Sequence, residues 1–171
     1  WARFHDWDWA EAEKEFTRAI SLNPANPTAH VWYGDFLTAL GRADEALPQL
    51  NLAAASNALS PVVSLALASQ LYYTRQYAKA IEQSQKTLAL EPTFVPAQLL
   101  LGRALLQNGQ IPEGSAALQK ALELSQGDTN ELAALGYGHA IARRSAEARK
   151  IVAELKSRSQ QTYVQPIAMA K

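Results

Sequence analysis

Apolar residues recur along the chain at two superposed intervals. The short interval is three or four residues: Val31, Leu37 and Leu40, then Leu65, Leu67 and Leu71, then Leu101, Leu105 and Leu106, then Leu132 and Leu135. That spacing lines one face of a helix. The long interval is 34 residues and carries small side chains: Gly34, Ala68, Gly102 and Gly136 form one series, and Ala12, Ala46, Ala80, Gly114 and Ala148 another. No insertion breaks the register. A constant period of this length predicts stacked supersecondary units, each too small to bury its own apolar face.

With units starting at Pro27, Pro61, Val95 and Thr129, each is predicted to hold a helix, a turn and a second helix. Asn26-Pro27 and Ser60-Pro61 place a capping side chain before a proline, whose missing N–H costs nothing in a first turn. Asp128 with Glu131 predicts a capping box, and Thr93 with Pro96 a less regular start. Gly41 and Gly109 sit where a left-handed residue ends a helix, while Arg75 and Arg143 hold the same place in the other two units and predict less sharply specified turns. Second helices are predicted over 43–56, 77–90, 111–125 and 145–159, with an orphan second helix over 8–22. Pro48 should bend its helix or delay its start. The paired small residues, Gly34 with Ala46 and Ala68 with Ala80, predict close helix crossings.

The implied organisation is a single repeat domain over 1–171: a partial unit at 1–26, full units at 27–60, 61–94, 95–128 and 129–162, and the opening of another at 163–171. Such ends are expected to belong to a longer protein and to expose apolar area that favours self-association.

Composition narrows the function classes. Formal net charge is zero, so the whole-molecule field offers phosphates and anionic lipid no attraction, and no nucleic-acid or membrane partner is expected. There is no run of 18 apolar residues and no signal-peptide pattern, and with no cysteine the expected setting is cytoplasmic. Charge is nonetheless uneven: residues 1–50 carry a net −4 and residues 141–171 a net +5. Two solvated faces explain this, although head-to-tail stacking of opposite ends is a second reading.

On these residues the chain resembles the tetratricopeptide repeat family, whose unit favours small residues at its eighth and twentieth positions, alanine at the twenty-seventh and proline at the thirty-second. The twenty-seventh is Ala19, Ala53, Thr87, Ala121 and Leu155; proline stands at the thirty-second only as Pro24 and Pro92. The tryptophan often found at the fourth position is absent from every complete unit. The resemblance implies an all-α, right-handed α-solenoid of antiparallel helix pairs. The opening DWDW-A-EAEKEF is also similar to C-terminal repeat regions of multidomain bacterial regulators.

Candidate chemistry is sparse. His5, His30 and His139 lack acidic or histidine partners at helical metal-site spacing and are assigned structural roles. Gly136-Tyr137-Gly138 falls inside a helix, where close packing explains it better than a dinucleotide loop. No nucleophile, base and orienting group are brought together by spacing, so neither catalysis nor a cofactor is expected. Trp1, Trp7 and Trp9 are assigned to the core at the N-terminal end, with a partner hot spot as the alternative.

Family ligands usually lie in the concave groove lined by the first helix of each unit. Here the resemblance selects groove positions that include Thr28, Val31, Thr38 and Ala39, and among them Asp35, Ser69, Tyr72, Tyr73, Arg103, Gln107, Asn130 and Tyr137 form the candidate ligand-binding set. Asp35 and Arg103 are the charged ones, and the Lys and Asn set that clamps a peptide carboxylate in some relatives does not occur. A weakly charged groove with Tyr72, Tyr73 and Tyr137 is expected to prefer an apolar or aromatic extended segment or an amphipathic helix, with Arg103 available for one carboxylate. The expected function is therefore a protein-protein interaction module or scaffold. A small-molecule sensor attached to a regulatory domain and a structural self-assembly spacer are the alternatives, and a shielded pocket with convergent polar groups would favour the sensor.

Overall fold

The computed structural model describes residues 8–160, and within them every regular element is an α-helix. Predictions for Trp1, His5, Trp7 and Pro166 to Lys171 lie outside the described residues. A first compact unit extends to Leu90 and a second begins at Glu91.

The first unit contains α1 (Trp9–Leu22), α2 (Pro27–Ala39), α3 (Ala43–Ser56), α4 (Pro61–Tyr73) and α5 (Tyr77–Leu90). Helix starts follow local chemistry. The Asn26 side chain accepts from the Thr28 and Ala29 amides, and the Ser60 hydroxyl accepts from the Val63 amide, so each satisfies donors that the first turn would leave orphaned. Pro48 lies on the solvent side of α3, which still begins at Ala43; the expected delay does not occur. On an exposed face the proline ring costs a hydrogen bond without forcing a neighbouring helix away.

Two apolar clusters hold this unit. Ala12, Phe16, Tyr33, Phe36, Leu37 and Ala46 join α1, α2 and α3, with half-buried Trp9 and Ile20 against them. Val31, Leu50, Ala53, Val63 and Ala66 join α2, α3 and α4. A polar brace covers the first cluster: Tyr33 Oη donates to Glu13 (3.0 Å), and Arg42 reaches Glu13 (2.8 Å) and both oxygens of Glu45 (2.6 Å each). Arg42 and Glu13 are about one-third exposed, so the brace contributes geometry more than energy.

The second unit contains α6 (Val95–Gln107), α7 (Ile111–Leu124), α8 (Thr129–Ile141) and α9 (Ser145–Ser159). Its core gathers Leu99, Leu106, Leu118, Ala121, Leu132, Ala134, Leu135, Ile151 and Leu155. Two predicted starts need correction. Helix α6 is capped by Phe94 without a side-chain hydrogen bond, so Thr93 does not serve. At α8 the Asp128 carboxylate accepts from the Asn130 amide, but the Asp128 amide donates to Ser125 Oγ (3.3 Å). Ser125 takes the place that a capping box would give to Glu131.

The turns inside the helix pairs share one geometry. Gly41 and Gly109 have φ of 75° and 82°, and Arg75 and Arg143 have 60° and 57°. In all four the left-handed residue donates to the carbonyl three positions back and its successor donates to the carbonyl five back, as in Arg75 to Tyr72 (2.9 Å) and Gln76 to Leu71 (2.8 Å). The two arginine turns are thus as fully formed as the glycine turns, against expectation, because the hydrogen bonds are made by the backbone. What differs is cost, since a side chain in the left-handed region is unfavourable by roughly 1–2 kcal/mol. Arg75→Gly and Arg143→Gly should each raise stability by about 0.5–1 kcal/mol after the extra freedom of an unfolded glycine is subtracted. Denaturation midpoints check this, and a loss of stability would refute it.

The small-residue series is a packing device. A Cβ on Gly34 would stand 2.7 Å from the Leu50 side chain, with the Ala46 carbonyl at 3.5 Å; on Gly102 it would stand 2.7 Å from Leu118. Gly136 faces Ile151 at 3.0 Å and Gly138 faces Leu118 at 3.1 Å, which accounts for Gly136-Tyr137-Gly138 as helix packing. Ala68 and Ala80 are both fully buried, as the paired register requires.

The position where relatives often carry tryptophan is buried in every complete unit: His30, Ser64, Gln98 and Leu132 are 2–7% exposed. Three of these four are polar, and each polar side chain bonds its own second helix. His30 has Gln49 at 2.8 Å from Nδ1 and the Pro24 carbonyl at 2.9 Å from Nε2. Gln83 Nε2 donates to Ser64 Oγ (2.9 Å), Ser64 pairs with Thr87 Oγ1 (2.8 Å), and Thr87 donates to the Gln83 carbonyl (2.9 Å). Gln98 Nε2 donates to the Ala117 carbonyl (3.4 Å). Thr87, at the alanine position, is fully buried because its hydroxyl closes this ring, while Leu155 at that position joins the core.

Candidate functional site

In the first unit the exposed faces of α2 and α4 form a concavity of about 650 Å³, lined by Asp35, Thr38, Ala39, Ser69, Gln70 and Tyr73. Helical spacing explains the assembly: Asp35, Thr38 and Ala39 lie three and four residues apart on α2, while Ser69 and Tyr73 lie four apart on α4. Tyr73 is 66% exposed and forms an open wall. Its ring meets Tyr72 edge-on at 5.5 Å, and Tyr72 is tilted against Tyr77 at 5.7 Å, so the wall is backed by two further rings.

Gln70 is the lining residue that sequence reasoning missed. It is 3% exposed, accepts from the Thr38 hydroxyl, and donates to the Ala43 carbonyl at 3.1 Å. These bonds tie α4 to the end of α2 and the start of α3 and orient the Thr38 hydroxyl in the concavity. A signal was available: the same register holds Phe36, Ala104 and Gly138, all buried, so a polar side chain there needs partners.

Asp35 is the charged group of the concavity. It is open to solvent on its outer side but otherwise surrounded by protein, and that desolvation pushes its carboxyl from 3.8 to about 6. No other charge contributes to the shift, and no ion pair among the described residues includes Asp35. Because the folded chain binds this proton more tightly than the unfolded chain, the penalty is complete above about 6 and is relieved as pH falls towards 3.8. Asp35→Asn should therefore remove a component of stability that rises with acidification across that window. NMR titration of the Asp35 carboxyl checks it directly, and a midpoint at the ordinary value would refute it.

A second, smaller recess of about 190 Å³ lies near the other end of the same two helices, lined by Pro27, Thr28, Val31, Trp32, Asn57, Ser60, Val62 and Val63. Trp32 and Val62 are 43% and 56% exposed there, over buried Val31 and Val63.

The structure thus brings Asp35, Ser69 and Tyr73 together, with Tyr72 behind Tyr73. The other four selected residues belong to the second unit. Gln107 Nε2 donates to Tyr137 Oη at 2.8 Å, bridging α6 and α8. Asn130 Nδ2 donates to Glu131 at 3.2 Å, and burial raises the Glu131 carboxyl above its ordinary value. Arg103 is half-buried on α6 and takes part in no ion pair among the described residues. No cluster of metal-ligating side chains is found among the described residues, and no helix there is long and apolar enough to cross a membrane.

Paired helices at a constant period, small residues at the crossings and a concavity between the first helices α2 and α4 define a helical-repeat protein. The chain belongs to the tetratricopeptide repeat family, whose model matches residues 6–70 and 71–136. Solved structures agree on the fold, an all-α repeat solenoid. A thermophilic TPR protein in Thermus thermophilus is 20% identical, with 88% of this chain covering 83% of that one at a TM-score of 0.81. PilF of Pseudomonas aeruginosa is 16% identical, over 98% of this chain and 75% of that one, at 0.77. YrrB, described as a TPR protein with an unusual peptide-binding site, is 16% identical over 88% and 78%, at 0.62. Repeats of this family mediate protein-protein interaction and are typically non-enzymatic.

Proposed function

We propose that the chain is an interaction module that binds an extended or helical peptide segment along the exposed faces of its first helices. The observation that carries this reading is the concavity between α2 and α4, which is open on the Asp35 and Tyr73 sides. An open recess suits a chain passing through it, whereas a small-molecule sensor calls for an enclosed cavity with converging polar groups. Tyr73 and Tyr72 supply large apolar area on stiff side chains, so little conformational freedom is lost when a ligand packs on them. YrrB, of the same fold, is described as having a peptide-binding site, which supports the ligand class. The second unit, taken by itself, offers Arg103 for a carboxylate and the Gln107 and Tyr137 pair for main-chain groups.

The test is selection from a displayed random-peptide library with the 171-residue chain, followed by titration of the selected peptides against a Tyr72→Ala, Tyr73→Ala variant. Affinity should fall at least about tenfold, or 1.4 kcal/mol, with far-UV circular dichroism unchanged. Selected peptides that bind both proteins equally would remove the α2–α4 groove from consideration.

A further inference from the structure

This inference rests on the peptide-binding reading and concerns what the segment must contain. Asp35 is an anion set in a concavity of protein atoms, without a cationic partner among the described residues. An uncompensated carboxylate in such a place disfavours an acidic or purely apolar occupant, since the first adds repulsion and the second strips remaining water from the charge. A cation relieves both. The surroundings suit one that arrives on a long apolar stem: the 66% exposed Tyr73 ring offers a face for methylene groups and for the charge itself. Thr38 and Ser69 add hydroxyl oxygens as further acceptors. The first unit as a whole, residues 1–90, carries a net −2, so its field does not oppose a basic segment, and the preference rests on Asp35 itself.

The second recess provides the other half of the pattern. Its α2 residues, Pro27 to Trp32, precede the α2 residues of the first recess, Asp35 to Ala39, by about eight positions, or ~12 Å along the helix. An extended peptide covers that distance in roughly three or four residues. Exposed Trp32 and Val62 over buried Val31 and Val63 make an apolar slot with no charged lining.

We propose that the Asp35 and Tyr73 concavity seats a lysine or arginine side chain of an extended partner segment, and that the Trp32 and Val62 slot takes an apolar side chain about three or four residues away on the same segment. Reading of a basic and an apolar side chain at fixed spacing would give the groove specificity that its few charges do not suggest.

The experiment is a synthetic array of short, end-capped peptides on a glycine-serine background. Each carries one Lys, Arg, Gln or Glu combined with one Leu, Phe or Ser at every separation up to about six residues in both directions. The array is probed with the full 171-residue chain, and the best binder is titrated by fluorescence anisotropy against wild type, Asp35→Asn and Val62→Ser. Strongest retention is expected for Lys or Arg with Leu or Phe about three or four residues away. Asp35→Asn should weaken the best peptide at least about tenfold, and Val62→Ser should erase the preference for Leu or Phe over Ser. Both side chains are exposed, and unchanged circular dichroism verifies that the variants fold. Retention that ignores the basic residue, favours Glu, or survives Asp35→Asn overturns the inference while leaving the groove reading in place. A basic preference at some other separation overturns the two-recess register. If wild type retains no peptide at all, both the inference and the groove reading fall.

Discussion

Phe36→Ala should destabilise the first unit by about 3–5 kcal/mol, enough to consume much of the stability of a small helical unit. Phe36 is 1% exposed, and its ring lies 5.3 Å from Phe16, 6.1 Å from Trp9 and 6.2 Å from Tyr33. Removing it empties the centre of an aromatic cluster that joins α1 to α2. The surrounding side chains sit on separate helices and cannot all close the gap. All four tryptophans of the chain lie before Leu90, so tryptophan fluorescence reports the first unit while circular dichroism reports every helix. The fluorescence midpoint in urea should move sharply, whereas that of Leu52→Ala, at a half-exposed position, should stay within about 0.5 kcal/mol of wild type. A Phe36→Ala shift as small as the control would mean that the cluster contributes little.

The second large effect is at the crossing of α6 and α7. Leu118 is fully buried beneath Gly102, where an added Cβ would meet its Cγ and Cδ2 at 2.7 Å and its amide nitrogen at 3.1 Å. Leu118→Ala should cost about 2–5 kcal/mol through lost packing and a residual cavity. Gly102→Ala should cost about 1–3 kcal/mol from overpacking, reduced by the roughly 1 kcal/mol that alanine gains over glycine within a helix. Combined, the two should be less harmful than their sum by about 1 kcal/mol or more, because the truncation removes the atoms that the new methyl group strikes. Circular dichroism in denaturant for the four proteins of the cycle measures this coupling. Strict additivity would show that the glycine is not there for Leu118.

These two sites differ in how readily sequence discloses them. The glycine and alanine series announces itself by its period, and Asn26-Pro27 and Ser60-Pro61 announce helix starts because capping is decided within three or four residues. Local chemistry misleads where a competitor lies on the other side of the cap, as Ser125 does for Asp128. It is silent where a helix starts without a capping side chain, as at Phe94. In the candidate site, Asp35, Ser69 and Tyr73 follow from the register of the first helices. Gln70 lies outside the positions the resemblance supplies, and its partners Thr38 and Ala43 are 32 and 27 residues away. The charge state of Asp35 was likewise illegible, since desolvation depends on atoms contributed by two helices.

The polar side chains in the tryptophan register carry a consequence for how such an array changes over time. Ser64 requires the hydroxyl of Thr87 and the amide of Gln83, Gln98 the carbonyl of Ala117, and His30 a glutamine at 49 and the Pro24 carbonyl. Three of the four first helices, α2, α4 and α6, are therefore keyed to their own second helix by directional bonds, in a place where an indole would fill space with less dependence on its neighbour. Duplicating or transplanting a whole helix pair preserves these keys. A recombination that joins the first helix of one pair to the second helix of another leaves a donor or acceptor buried without a partner, at about 1–3 kcal/mol for each. The heritable unit of this chain is the matched pair, and the allowed breakpoints fall between pairs.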